Sequence, residues 1–160
     1  MREAVPHGHG QVLTILGALT TNGVQASMTD TVPSADWLRP ALGVLTIEAA
    51  TDTSIFLAFV KQILAPTLRP GQVVLMDNLP ARKHPQVRSL LRARNCRLVY
   101  LPPYSPDLNP IEPAWSKLKA FLRGARARLR PALERAVATG LRTITAQNAK
   151  GWFRHCGYPV

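Results

Sequence analysis

Between Val73 and Leu101 the sequence follows a pattern that few folds accommodate. Val73-Val74-Leu75-Met76 is apolar at consecutive positions, as expected of a strand covered on both faces. Pro85, suited to a first helical position, opens a stretch with Val87, Leu90 and Leu91 on one face and Arg88, Arg92 and Arg94 on the other. Arg97-Leu98-Val99-Tyr100-Leu101 is again strand-like. Strand, helix and strand within about thirty residues make a right-handed βαβ unit with parallel strands, so the chain is expected to be α/β.

The flanking segments extend this unit into a mixed sheet with helices on both faces. Residues 11–19 are densely apolar and suit a central strand, Asn22-Gly23 reads as a hairpin turn, and residues 24–28 form the returning antiparallel strand. Residues 29–44 lack a clear period and read as a loop or insertion; Leu45-Thr46-Ile47 is a short strand. Thr51-Asp52-Thr53 supplies capping side chains for a helix with Phe56, Phe59, Val60, Ile63 and Leu64 at three-and-four spacing, ended by Pro66 and the Arg69-Pro70-Gly71 turn. A stiff loop, residues 102–110, leads into a helix over 111–122 with the stripe Ile111, Trp115, Leu118 and Leu122; further helices are expected near 131–141 and 147–153.

At 160 residues the chain suits a single domain with a real core. It has no apolar stretch of membrane-spanning length, and residues 1–6 lack the apolar centre of a signal peptide, so a cytoplasmic, nucleoid-associated protein is expected. Cys96 and Cys156 show no ligand spacing and read as reduced structural thiols.

The net charge of +11 is distributed very unevenly. Residues 1–80 carry four Lys/Arg against six Asp/Glu, while residues 81–160 carry sixteen against three. A one-sided field of this kind favours a polyanion, and because neutralised phosphates release counterions, binding weakens steeply with salt. Nucleic acid is the expected partner.

Two acids stand out. Asp77 closes the strand at Met76, where open α/β sheets place their ligands. Glu112 falls in the first turn of the helix opened by Asn109-Pro110-Ile111, with 34 residues between the two acids. Brought together, they make an oxygen-rich pocket suited to Mg²⁺. Each also has a plainer reading: Asn109, Pro110 and Glu112 fit a capping box, and Asp77-Asn78 fits a turn.

Three segments together are far more specific than either acid. Leu75-Met76-Asp77-Asn78, the run Leu101-Pro102-Pro103-Tyr104-Ser105-Pro106-Asp107-Leu108-Asn109-Pro110-Ile111-Glu112, and Trp115-Ser116-Lys117-Leu118-Lys119 resemble the catalytic domain of bacterial insertion-sequence transposases of the mariner superfamily. These are DDE enzymes with a ribonuclease H-like fold. The resemblance runs from about Val5 to the C-terminus, so residues 1–160 are expected to form one catalytic domain, with Asp77 and Glu112 as the second and third catalytic acids.

The family's first catalytic Asp lies on a first strand upstream of the region matching residues 5–19, and only Met1 to Ala4 stand there. The resemblance thus implies N-terminal truncation, with the first strand, its Asp and the DNA-finding helix-turn-helix missing. Of Glu3, Asp30, Asp36, Glu48, Asp52 and Asp107, none closes an apolar strand, so none is expected to substitute. An edge so exposed calls for a homodimer, a swapped strand or a separate N-terminal fragment to cover it.

The implied reaction is hydrolysis at transposon ends followed by strand transfer to target DNA. The resemblance implies Mg²⁺ or Mn²⁺, two ions about 3.5 to 4 Å apart in the intact site, with the absent Asp bridging both. Weak or no activity is expected of this chain alone, the alternative being a non-catalytic DNA-binding remnant. Arg82, Lys83, Lys117 and Lys119 are the first candidates for DNA contact, with His84 as either a cap or a contact, and Arg123, Arg126, Arg128 and Arg130 as a second group. His7 and His9 read as surface residues.

Overall fold

A computed structural model describes residues 14–29, 46–47, 53–127 and 129–160, with side chains described for all of these except 14, 25–29, 46–47 and 130. The expected insertion, the caps Thr51 and Asp52, the substitute acids Glu3, Asp30, Asp36, Glu48 and Asp52, and Arg128 lie outside the described residues.

The chain is mixed α/β, with its described strands divided between two small sheets. β1 (Thr14–Thr20) pairs antiparallel with β2 (Gly23–Thr29), and at Thr14 and Ile15 with β3 (Thr46–Ile47). β4 (Val73–Met76) pairs in parallel with β5 (Arg97–Tyr100), and the Leu101 amide extends the ladder to the Met76 carbonyl at 2.8 Å. α3 (Pro85–Arg92) joins them, and the His84 ring Nδ1 accepts from the Gln86 amide at 3.3 Å. His84 thus takes the capping role, one of the two expected of it.

The hairpin turns differently from expectation. Its loop is Thr21-Asn22; Gly23 already pairs with Thr20 and alone takes a positive φ, 110°. Glycine adopts that angle freely, and a Cβ here would also lie 3.1 Å from the Ile144 carbonyl. The helix after residue 52 ends between Pro66 and the Arg69-Pro70-Gly71 turn, as expected, but is not a regular α-helix throughout. α1 (Thr53–Phe59) widens into a π-helical turn (Val60–Leu64), and the Ala65 amide bonds the Val60 carbonyl five residues back. The chain continues helically through Pro66 as α2 (Ala65–Thr67); the widened turn accommodates a residue that has no N–H to give.

Two buried clusters meet at β1, and the alternation of side chains along a strand explains how. Leu16 faces Phe56, Phe59, Val60, Met76, Val87 and Leu91, with Ala18 beside them. Ile15 and Leu19 face the second cluster, formed by Ala114 and Leu118 of α4 (Ile111–Ala125), Val137 and Leu141 of α5 (Arg130–Arg142), and Ile144. Trp115 packs against that cluster, as expected of a core residue, as does Trp152 of α6 (Ala146–His155). α4 and α5 approach closely at Gly140, where a Cβ would lie 2.6 Å from Leu118 Cδ1 and 2.8 Å from Phe121 Cδ1.

Candidate active site

Asp77 and Glu112 line one cleft of about 360 Å³. Its lining takes in Ile15 to Thr21, Gln72 to Asp77, the core residues Phe56, Phe59 and Leu64, and Asn109 to Glu112 with Trp115. Asp77 thus stands at the carboxyl end of a parallel pair, the usual ligand position in such sheets.

The sequence immediately after Asp77 fixes its carboxylate. Pro80 starts a single 3-10 turn (Pro80–Lys83), and the Arg82 amide bonds the Leu79 carbonyl at 3.0 Å. This turn folds the Arg82 side chain back, placing its Nε 3.2 Å from Asp77 Oδ1 and its guanidinium 4.1 Å above the Phe56 ring. The Tyr100 hydroxyl donates to the Arg82 carbonyl at 2.7 Å, tying the turn to the end of β5. Burial lowers the Arg82 pKa, opposed by the charge and hydrogen bond of Asp77.

Glu112 is placed by the proline-rich loop. Tyr104 sits at a left-handed φ of 55° with its ring fully exposed, Pro106–Leu108 forms a 3-10 turn, and the Tyr158 hydroxyl donates to the Leu108 carbonyl at 2.7 Å. The Glu112 amide bonds the Asn109 carbonyl at 3.1 Å. The capping box anticipated here is absent: Glu112 Oε1 accepts from Asn109 Nδ2 at 3.4 Å rather than from a backbone amide, and Pro110 is the N-cap. The exposed carboxylate sits at the positive end of a fifteen-residue helix.

The basic residues divide into those held within the protein and those facing water. Arg82 lines the cleft and is engaged by Asp77. The Lys117 ammonium donates to the Thr143 carbonyl and to Asn148 Oδ1, both at 2.6 Å, so it ties α4 to the end of α5 and the start of α6. Lys83, Lys119, Arg123 and Arg126 are exposed. Arg126 ends α4 with a φ of 48°, and Arg130 opens α5. Asp107 is exposed and does not line the cleft.

Sequence reading missed Phe56 and Tyr100 as supports of this site, and that the Glu112 carboxylate meets the side chain of Asn109 rather than its backbone amide. The one available signal was an arginine five residues beyond a strand-end aspartate with a proline between them. Asp77, Glu112 and Asn109 offer the hard oxygen donors that Mg²⁺ or Mn²⁺ accept. No cluster of three or more His, Cys, Asp or Glu suited to a metal occurs among the described residues.

A strand-end aspartate and a helix-start glutamate thus line one cleft of a mixed α/β frame. Residues 38–134 match the family of DDE superfamily endonucleases, and the chain belongs to that family, which uses divalent metal ions. It is 39% identical to the Transposable element Tc1 transposase of Caenorhabditis elegans and 37% identical to the Tcb1 transposase of Caenorhabditis briggsae, each match covering 42% of this chain. The match spans 28% of the length of those relatives. Among solved structures, the Mos1 Strand Transfer Complex aligns over 96% of this chain and 42% of its own, with a TM-score of 0.63 and 17% identity. That likeness shows a shared ribonuclease H-like fold.

Proposed function

We propose that this chain is a transposase catalytic domain acting in metal-dependent phosphodiester hydrolysis and strand transfer at transposon ends. The observation that carries the reading is that Asp77 and Glu112, on separate elements with 34 residues between them, line the same cleft. Asp77 and Glu112 would hold Mg²⁺ or Mn²⁺, which when bound supplies Lewis acidity to the attacking and leaving oxygens at phosphorus. Lys83, Lys119, Arg123 and Arg126, exposed in the basic half of the chain, are the proposed phosphate contacts.

With two acids at the described cleft, turnover by this chain alone is proposed to be weak, and the same observation favours a second reading, a DNA-binding remnant without turnover. A homodimer or an N-terminal fragment supplying a strand is a further proposal. Its support is that among the described residues β1 pairs on its β3 side only at Thr14 and Ile15, while β4 pairs only with β5, and both strands wall the cleft.

Nicking of a supercoiled plasmid in Mn²⁺ tests the first reading. Activity abolished by chelation, by Asp77→Asn and by Glu112→Gln is expected. Salt-sensitive DNA binding with no nicking at any metal concentration would instead establish the remnant, and a rise in nicking on adding an N-terminal fragment would establish complementation.

A further inference from the structure

We infer that Arg82 is an internal counter-ion which competes with divalent metal for Asp77 and so sets the metal affinity of the cleft. The inference rests on the metal reading above but concerns a different residue and a different quantity.

The arginine is built in rather than merely nearby. Its backbone is held by the Leu79 carbonyl and by the Tyr100 hydroxyl, its guanidinium lies on the Phe56 ring, and its Nε meets Asp77 Oδ1 at 3.2 Å. Three elements therefore hold one cation against one carboxylate. The Arg82 side chain is 15% exposed and that of Asp77 38%, so the cation is shielded while the carboxylate remains accessible from the cleft. Among the described residues no hydrogen bond engages Asp77 Oδ2; Oδ1 also receives the Leu79 amide at a long 3.5 Å.

A divalent ion approaching Oδ2 meets a fixed positive charge across one carboxylate, in surroundings less screening than water. Either the metal binds against that charge or the guanidinium gives up Asp77, and both lower affinity. Arginine remains protonated at any physiological pH, so the competition cannot be relieved by titration. A phosphate entering the cleft could relieve it by accepting from the guanidinium, since arginine pairs readily with phosphate oxygens.

Mn²⁺ binding to the full chain, measured by electron paramagnetic resonance of the free ion, tests this. Arg82→Gln is expected to bind Mn²⁺ at least tenfold more tightly than the parent, and Arg82→Lys, which keeps the charge, within about threefold of it. Asp77→Asn should abolish the tight site in every background. Unchanged or weaker binding by Arg82→Gln would overturn the inference and leave the metal reading intact. Absence of any Asp77-dependent Mn²⁺ binding in parent and variants would bring down both. Should Arg82→Gln fail to fold, the parent decides by ¹⁵N NMR: Mg²⁺ should shift the Arg82 Nε–H resonance and speed its solvent exchange. Saturating Asp77-dependent Mg²⁺ binding with that resonance unmoved would refute the competition.

Discussion

Asp77 and Glu112 share a cleft but rest on unlike supports. Asp77 ends a strand inside the first cluster and is held by a shielded arginine from a turn that two further hydrogen bonds fix. Glu112 begins a helix whose anchorage, Ala114 and Leu118 against Val137 and Leu141, lies in the second cluster, and its own carboxylate accepts from the Asn109 side-chain amide. The distance between the two carboxylates is therefore set by how the second cluster docks on β1, whose Leu16 and Leu19 face opposite ways. One acid is fixed locally, the other by tertiary packing.

The largest expected effect comes from cutting either support. Leu91→Ala and Leu118→Ala each empty a fully buried site, and each should cost about 2–5 kcal/mol in urea denaturation. Because β1 belongs to both clusters, either substitution should lower one shared transition, seen alike by far-UV circular dichroism and by fluorescence of Trp115 and Trp152 in the second cluster. Non-coincident transitions in Leu91→Ala would show instead that the clusters unfold separately and that Glu112 is independent of the Asp77 half.

A smaller effect distinguishes support from DNA contact on α4. Lys117→Met removes a charged donor from the Thr143 carbonyl and from Asn148, whose side chain also receives the Thr145 amide in the α6 capping box. It should destabilise the chain by about 1–2 kcal/mol, reduced from the buried value because the site is only partly enclosed. Lys119→Met, at an exposed position, should leave stability within about 0.5 kcal/mol and reduce the salt dependence of DNA binding instead. A reversed pattern would place Lys117 among the phosphate contacts.

What the sequence disclosed, and what it withheld, follows the range of the forces involved. β4 runs from Val73 to Met76 and α3 opens at Pro85, as their apolar run and proline indicate, but Val73 is exposed and only Met76 is buried, so the strand is not covered on both faces as the run suggested. The meeting of Asp77 and Glu112 in one cleft was legible because their two segments are distinctive together. The Arg82–Asp77 pair was not: an i to i+5 contact made through one 3-10 turn follows no helical or strand period. Lys117 was read from its position on α4 toward DNA, while its partners stand 26 and 31 residues further on, where tertiary packing alone brings them. The failed capping box at Glu112 has the same lesson, since Asn109 and Glu112 do pair, but through side chains.

The smallest expected effect concerns pH and the mooring of the Glu112 loop. Tyr158, stacked edge-on against Phe153 of the cleft wall, holds its phenolic proton more tightly than usual because of burial and then the Cys156 charge; Cys156 is raised by burial and then by Asp107. Both groups therefore bind their protons more strongly folded than unfolded, so their contribution is fully present below the ordinary values of 9.0 and 10.0 and is lost as pH rises through the raised ones. A tyrosinate can no longer donate to the Leu108 carbonyl, so the loop carrying Asn109 and Glu112 should loosen over the same range. Melting temperatures from neutral to strongly alkaline pH should fall more steeply for the parent than for Tyr158→Phe, which starts lower because it lacks the bond at every pH. Parallel curves for the two proteins would show that the loop is held without the hydroxyl, and that Glu112 depends on the second cluster alone.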